Sequence, residues 1–212
     1  TITLDGSSNV EQWDDKSGNL RHATQATSTA RPGQNATGLN SKNTLTFDGA
    51  DFLSVPHHAD ISAGGGVSVF IVVEFESTTP GRGPIGKWAS SLDWIIWRAS
   101  GGITGGNIGG IVRTSGNSFT DGGLNGLGTW MLDLIVDDAA THKIFVDGTE
   151  ADSVAIVTAD AGTSPLSIGS YNNSTSKGII GKIAEVVITN GVTVDREKIE
   201  GYLAHKWGLE AN

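Results

Sequence analysis

The sequence of 212 residues has no cysteine, one methionine and five prolines, and it contains no long hydrophobic run. Without cysteine, the chain can have no disulfide, thiolate metal site or catalytic thiol. Because no stretch long enough to span a bilayer is apolar, we expect no membrane insertion. Basic residues are also scarce, 14 against 23 acidic ones, which gives a net charge of −9. Nucleic-acid binding requires a basic surface that displaces counterions, so nucleic acid is excluded as a partner.

Glycine, in contrast, is abundant. Its 30 residues are spread along the whole chain, whereas charged residues make up only 17%. This composition is typical of many short strands joined by tight turns. No proline- or serine-rich linker interrupts the sequence, so residues 1–212 are predicted to form a single domain. The sequence starts at Thr1 without a charged and apolar leader, and we expect a processed product or a domain excised from a larger protein.

Alternating hydrophobicity predicts the strands. Residues 67–75 place Val69, Ile71 and Val73 on one face, and residues 130–136 alternate in the same way. The second segment is predicted to pair with residues 143–146 as a hairpin around a turn at Asp138. Further strands are predicted at residues 44–47, 52–55, 94–98, 108–113, 153–157, 166–169 and 179–189.

One segment near the C terminus has a helical period. Residues 194–207 are predicted to form a helix with Thr193 as N-cap and Asp195 in the first turn. Its apolar stripe consists of Ile199, Tyr202, Leu203 and Trp207. A lone helix after many strands predicts an all-β sandwich of two antiparallel sheets with one short C-terminal helix, rather than a βαβ fold.

Three patches of sequence resemble a known family. They are residues 10–19 (VEQWDDKSGN), residues 45–53 (LTFDGADFL), and residues 181–188 with 199–209 (GKIAEVVI and IEGYLAHKWGL). In this order they resemble the laminin-G-like branch of the concanavalin A-like lectin/glucanase superfamily. The resemblance is to versions found in bacterial surface proteins, polysaccharide-degrading enzymes and phage tail proteins. It implies a jelly roll, a fold that hosts enzymes, lectins and spacers alike.

The catalytic motifs of such enzymes are incomplete here. Hydrolases of the superfamily carry Glu-x-Asp-x-x-Glu on one strand, and the matching segment has Glu74 and Glu76 but Thr79 at the third position. Lyases of this fold need a tyrosine or histidine beside arginine and glutamine. Tyr202 belongs to the helix stripe, where we expect it in the core, and Tyr171 has no evident partner. We therefore expect no catalytic activity.

Calcium is the candidate cofactor that the resemblance implies. Asp48 and Asp51 offer two carboxylates around a glycine, and Glu185 is a possible third ligand, although Ala184 replaces an acidic residue often present there. The structural alternative is a turn in which an aspartate side chain bonds to the backbone. Two further aspartate pairs are rival ligands, Asp14–Asp15 and Asp137–Asp138.

Aromatic side chains are the candidate ligand contacts, since an exposed ring offers an apolar surface for a sugar. We expect three of the tryptophans, Trp13, Trp130 and Trp207, in the core. The remaining three, Trp88, Trp94 and Trp97, are candidate ligand contacts, together with Tyr171 and Asn172 in a polar loop. Trp94 and Trp97 should face opposite sides of one strand, and Trp88 is expected to be the most exposed. For any single ring, core packing is the commoner role.

These observations favour a non-catalytic carbohydrate-binding or adhesion module, a lectin-like role with calcium as cofactor. The expected partners are a polysaccharide or cell-surface glycan and other domains of the parent protein. We expect an extracellular location, on a cell surface or a virion. The alternative is a structural or protein-interaction domain of a phage tail or large surface protein. A glycoside hydrolase or polysaccharide lyase is the least favoured function.

Overall fold

A computed structural model describes residues 1–89, 91–137, 139–192 and 195–210. Two antiparallel sheets form within this part of the chain, as predicted. Sheet A has nine described strands in the order β1 (Ile2–Leu4), β2 (Val10–Trp13), β3 (Ala23–Thr24), β6 (Leu53–Val55), β15 (Leu166–Ile168), β8 (Arg82–Trp88), β9 (Leu92–Arg98), β10 (Ile108–Arg113) and β11 (Asn117–Leu124). Sheet B has seven described strands in the order β14 (Thr149–Ala155), β13 (Thr141–Val146), β12 (Gly128–Asp137), β7 (Val67–Phe75), β16 (Ile180–Asn190), β5 (Lys42–Asp48) and β4 (Gly33–Leu39).

The core lies between the inner faces of the two sheets. Val69, Ile71 and Val73 of β7 are fully buried in it, which confirms the face that their alternation predicts. Trp13 and Trp130 are partly buried and pack against this core. Burying each large aliphatic side chain contributes about 1.5–3 kcal/mol, so a continuous layer of this kind stabilises the sandwich without disulfides.

Several strands were not expected from the sequence. β8 contains Gly83 and Pro84, and β4 and β11 are rich in polar residues and glycine. These segments lack the alternation by which a strand is predicted, because their pairing depends on neighbours that are distant in sequence. Asp138, the predicted turn residue of the β12–β13 hairpin, lies outside the described residues.

The C-terminal helix α1 (Arg196–Trp207) covers the outer face of sheet B. Its N-cap is Asp195, which was expected in the first turn, whereas Thr193 and Val194 lie outside the described residues. Leu203 and Trp207 are buried against β7 and β12, as predicted. Tyr202 is 50% exposed, so its expected core position is wrong. Among the described residues, no helix combines the length and hydrophobicity that crossing a bilayer requires.

The outer face of sheet A has a small apolar cluster of its own. Its buried members are Leu92, Ile95, Trp97, Ala99, Ile111 and Tyr171. The pairing of β8 with β9 shifts register between Gly86 and Trp88. Such a bulge changes which side chains face outward, and it lies beside the groove described below.

Candidate functional site

A groove of about 560 Å³ lies at one end of strands β8 to β11. Four segments meet there because these strands are neighbours in sheet A: the end of β8, the start of β9, the β10–β11 hairpin, and residues 160–163 before β15. The described residues that line it are Trp88, Ser91, Leu92, Arg113, Asn117, Asp160, Ala161, Gly162 and Thr163. A volume of this size accommodates a small organic ligand.

Trp88 is the half-buried aromatic residue of the groove. Its ring lies 5.6 Å from the ring of Tyr171, with the two planes inclined by 26°. Trp97 makes an edge contact with the same tyrosine, with 6.4 Å between the ring centroids. Tyr171 is only 5% exposed, and burial raises the pKa of its phenol. The indole of Trp88 is therefore supported by a packed aromatic cluster.

The opposite wall of the groove is polar. Arg113 Nη1 donates to Asn117 Oδ1 at 3.0 Å, and Arg113 Nε lies 3.6 Å from Asp160 Oδ2. Both members of this ion pair are about half exposed, so the pair contributes at most about 1 kcal/mol to stability. Their remaining donors and acceptors, with the hydroxyls of Ser91 and Thr163, are available to a polar ligand.

Ser164 attaches the segment before β15 to the β8–β9 turn. Its Oγ donates to the carbonyl of Ser91 at 2.7 Å and accepts from the backbone N–H groups of Ala89 at 3.0 Å and Ser91 at 3.1 Å. Ser91 Oγ in turn accepts from the N–H of Thr163 at 3.3 Å. These bonds join two walls of the groove and hold them at a fixed separation.

A buried ion pair lies behind the groove. Lys87 and Asp93 are 0% exposed, with 3.1 Å between Nζ and Oδ2. Lys87 Nζ also donates to Ser62 Oγ at 2.7 Å and to the carbonyl of Gly162 at 3.4 Å. Burial lowers the pKa of Lys87 and raises the pKa of Asp93, and the attraction between the two charges opposes both shifts. Through the bond from Lys87, the pair is attached to the groove wall at Gly162. Breaking the pair would be costly, because it would leave an uncompensated charge in the interior.

The structure brings Trp88 and Tyr171 together, but it buries Trp94 in the core, where no ligand can contact it. Trp94 is 0% exposed, and its Nε1 donates to the carbonyl of Ile61 at 2.9 Å inside the core. As the alternation predicts, Trp97 is on the opposite face, where it is 7% exposed and outside the groove lining. Asn172 also lies outside the lining, and its Oδ1 accepts from Ser170 Oγ at 3.3 Å.

The expected calcium ligands do not form one site. Asp51 Oδ2 accepts from the N–H of Asp48 at 3.0 Å, and Asp48 Oδ1 accepts from the N–H of Ala50 at 2.8 Å. These are the side-chain-to-backbone bonds of the structural alternative. Burial raises the pKa of Asp51 to about 6. Arg82 Nη1 donates to the carbonyl of Gly49 at 2.9 Å, so one backbone oxygen of this turn is already hydrogen-bonded to a guanidinium group.

Glu185 is engaged elsewhere. Its carboxylate accepts from Trp207 Nε1 at 2.7 Å and from Lys206 Nζ at 3.0 Å. On β16 the residue paired with Asp48 is Ile180, five residues from Glu185, a separation of about 16 Å along a strand. Within the described residues, no three histidine, aspartate or glutamate side chains are grouped closely enough to hold a metal. The three expected ligands therefore do not come together around one ion.

The other acidic candidates also have structural partners. Asp15 accepts from the N–H groups of Ser17 at 2.8 Å and Arg21 at 3.0 Å. Glu74 and Glu76 both pair with Lys182 Nζ, at 2.9 Å and 2.7 Å. Of the last rival pair, Asp138 lies outside the described residues.

Sequence reasoning missed most of the groove. Arg113, Asn117 and Asp160 have no shared motif and are up to 47 residues apart in sequence. Only the order β8-β9-β10-β11 and the return of the chain before β15 bring them beside Trp88.

Similar solved structures are β-sandwich domains. Domain 4 of AbnA, a GH43 extracellular arabinanase from Geobacillus stearothermophilus in complex with arabinotriose, matches 76% of this chain and 75% of its own length, with 19% identity and a TM-score of 0.58. A GH54 α-L-arabinofuranosidase matches with 12% identity and a TM-score of 0.69, and botulinum neurotoxin type C, whose cell entry depends on two ganglioside molecules, with 14% and 0.59. Each of these two matches covers 94% of this chain but only 51% of the other, so the chain spans about half their length.

No protein-family model matches the sequence, and no curated protein is significantly similar to it. At these identities the structural matches show the fold alone. They agree with an all-β jelly-roll sandwich, whereas the laminin-G-like branch stays a prediction.

Proposed function

We propose that this chain is a non-catalytic carbohydrate-binding domain that holds a sugar ring against Trp88 in the groove. One observation carries the proposal: a half-buried indole, supported by Tyr171 at 5.6 Å, lines a groove of about 560 Å³ whose other wall is polar. Because packing already holds the indole of Trp88 in place, the side chain loses little conformational freedom when a ligand packs on it.

The groove offers both kinds of contact that a sugar needs. The indole provides an apolar surface for the C–H groups of a pyranose or furanose ring. Arg113, Asn117 and Thr163 provide donors and acceptors for its hydroxyl groups. Because Arg113 is paired with Asp160, the groove has no excess charge, and we infer that an uncharged glycan fits it best.

Catalysis is not part of the proposal. A glycosidase places two carboxyl groups on either side of the scissile bond. Among the described residues that line the groove, Asp160 is the one carboxylate, and it is paired with Arg113. Neighbours of this fold include a hydrolase chain, so the absence of a carboxylate pair, rather than the fold, supports a binding role.

The structural neighbours support glycan binding and an extracellular location. The arabinanase domain is described with arabinotriose bound, and the neurotoxin is described as dependent on gangliosides. The arabinanase is described as extracellular and the neurotoxin as entering cells, and we propose an extracellular location for this chain.

The test is a binding survey of neutral and acidic polysaccharides by affinity electrophoresis, followed by titration calorimetry. Trp88→Ala should reduce affinity for the best ligand by at least ten-fold. Tyr202→Ala, which removes a half-exposed aromatic ring from the helix on the other sheet, is the matched control and should bind normally. The proposal fails if the wild-type protein binds no polysaccharide, the result expected of a purely structural domain, or if Trp88→Ala binds unchanged.

A further inference from the structure

Arg98 is a buried cation without an acidic partner. Its side chain is 1% exposed, its guanidinium lies 5.0 Å from the centroid of the Phe75 ring, and none of the ion pairs among the described residues includes it. Its Nη1 donates to the carbonyls of Gly106 at 2.7 Å and Asn125 at 2.9 Å, and its Nη2 to Gly126 at 3.0 Å. Burial lowers the pKa of Arg98, and no nearby negative charge counteracts that shift. Its partners, three carbonyl oxygens and one ring face, carry no full negative charge, whereas a fully buried arginine is usually paired with one.

A second arginine lies beside the first. Arg82 Nη1 donates to the carbonyls of Gly49 at 2.9 Å and Gly178 at 2.7 Å. Like Arg98, it forms no ion pair with a carboxylate in the described ranges. The nearby Glu76 is instead paired with Lys182 at 2.7 Å. The two arginines are direct cross-strand partners on β8 and β9, and the hydrogen bonds of both guanidinium groups are to neutral carbonyl oxygens.

Both arginines line the same small cavity, together with the ring of Phe75 and the side chains of Ser77 and Thr79. Its volume is about 10 Å³, which is room for a single water molecule or monatomic ion. The two hydroxyl groups are hydrogen-bonded to each other at 2.9 Å, so one of them has its proton free to donate at the edge of the cavity. A polyatomic anion such as phosphate is too large for this space.

We propose that the cavity between Arg82 and Arg98 binds one small inorganic anion of about the size of chloride. The anion would supply the negative charge that Arg98 lacks and would link the loop after β7 to the start of β8 and the end of β9. This site shares no residue with the groove at Trp88, so it does not depend on the proposed carbohydrate function.

The test compares the melting temperature of the full chain in sodium chloride and in sodium gluconate at equal ionic strength, because gluconate is too large for the cavity. The readout is the difference between the two salts, measured for the wild type, Arg82→Gln and Lys42→Gln. Lys42 is exposed at the start of β5, so its variant removes one positive charge away from the cavity.

An anion that binds only the folded state raises the melting temperature by about 2–5 °C at saturation. We expect a chloride-specific difference of this size in the wild type and in Lys42→Gln, and less than half of it in Arg82→Gln. The proposal would be overturned if the difference in melting temperature between the two salts were the same in all three proteins. A crystal structure in chloride that shows only a water molecule in the cavity would also overturn it. Crystals soaked in bromide should show an anomalous peak between the two guanidinium groups, and the lack of a peak at saturating bromide would also overturn it.

Discussion

The ring of Tyr171 stacks against the ring of Trp88, with 5.6 Å between the centroids, although Trp88 ends β8 and Tyr171 follows β15, 83 positions later in the sequence. Tyr171 is itself fixed by the edge contact with Trp97. The orientation of the groove's indole is thus set by residues that line no part of the groove. A residue that supports Trp88 should influence ligand binding without touching the ligand.

Replacing Tyr171 by leucine should weaken glycan binding. An aromatic pair contributes about 0.5–1.5 kcal/mol beyond the area it buries, which corresponds to a two- to twelve-fold loss of affinity. Tyr171→Phe keeps the ring and should bind like the wild type. Titration calorimetry with the best ligand from the polysaccharide survey measures both. Equal affinities for the leucine and phenylalanine variants would show that stacking does not position Trp88.

Glu185 should stabilise the protein by holding helix α1 on sheet B. Glu185→Ala removes an acceptor from Trp207, Lys206 and Tyr202 and leaves the buried indole N–H unsatisfied. Hydrogen bonds to a charged group contribute about 1.5–3 kcal/mol, so we expect a loss of that order in the free energy of unfolding. Urea unfolding measures it, with Glu197→Ala on the exposed face of the same helix as control. A loss no greater than the control's would assign the docking to apolar packing alone.

Calcium should have no effect on stability. An ion stabilises a protein only if it binds the folded state more tightly than the unfolded one. The carboxylates of Asp48 and Asp51 bond to backbone N–H groups, and Arg82 takes up the adjacent carbonyl. Calorimetric melting temperatures in EDTA and in millimolar calcium should therefore agree within about 1 °C. A saturable rise with calcium that disappears in Asp51→Asn would instead place an ion at this turn.

The layers of the fold could be predicted from the sequence, whereas the site could not. Alternation in β7 and β12 identifies the buried faces because each strand carries the signal within itself. Trp94 and Trp97 could be placed on opposite faces, but which of them faces the core depends on the bulge between β8 and β9 and on the partner sheet. The exposed Tyr202 shows the same limit, because a helical stripe is wider than the contact that this helix makes with its sheet.

The groove shows most clearly which features a single sequence indicates and which it does not. The polar neighbours of Trp88 in the sequence predict that its ring is exposed, and this is a local property. Arg113 and Asp160 meet across the ends of separate elements, and nothing in either local sequence indicates the other. Contacts of this kind follow from topology, which a single sequence does not provide.

Asp133 should make the protein less stable as pH rises. It lies under helix α1 with 0% exposure, and no donor among the described residues bonds to its carboxyl oxygens, whereas a protonated Asp133 can share a hydrogen bond with Glu200. Burial, with the neighbouring Glu200 carboxyl adding to it, raises the pKa of Asp133 to about 9. The folded protein therefore keeps a proton that the unfolded chain, with an ordinary carboxyl pKa near 4, releases. The resulting stability is complete below about pH 4 and is lost as pH rises toward 9.

The expected slope for this one group is about 1.4 kcal/mol of unfolding free energy per pH unit. Urea unfolding at pH 7, 8 and 9 should show the wild type losing stability, whereas Asp133→Asn, which cannot ionise, should be more stable at pH 8 and nearly independent of pH in this range. Asp137→Asn, at the exposed end of the same strand, is the control and should keep the wild-type slope. If Asp133→Asn keeps that slope as well, the carboxyl of Asp133 is already ionised beneath the helix, and Arg196, which pairs with Glu200, must compensate its charge.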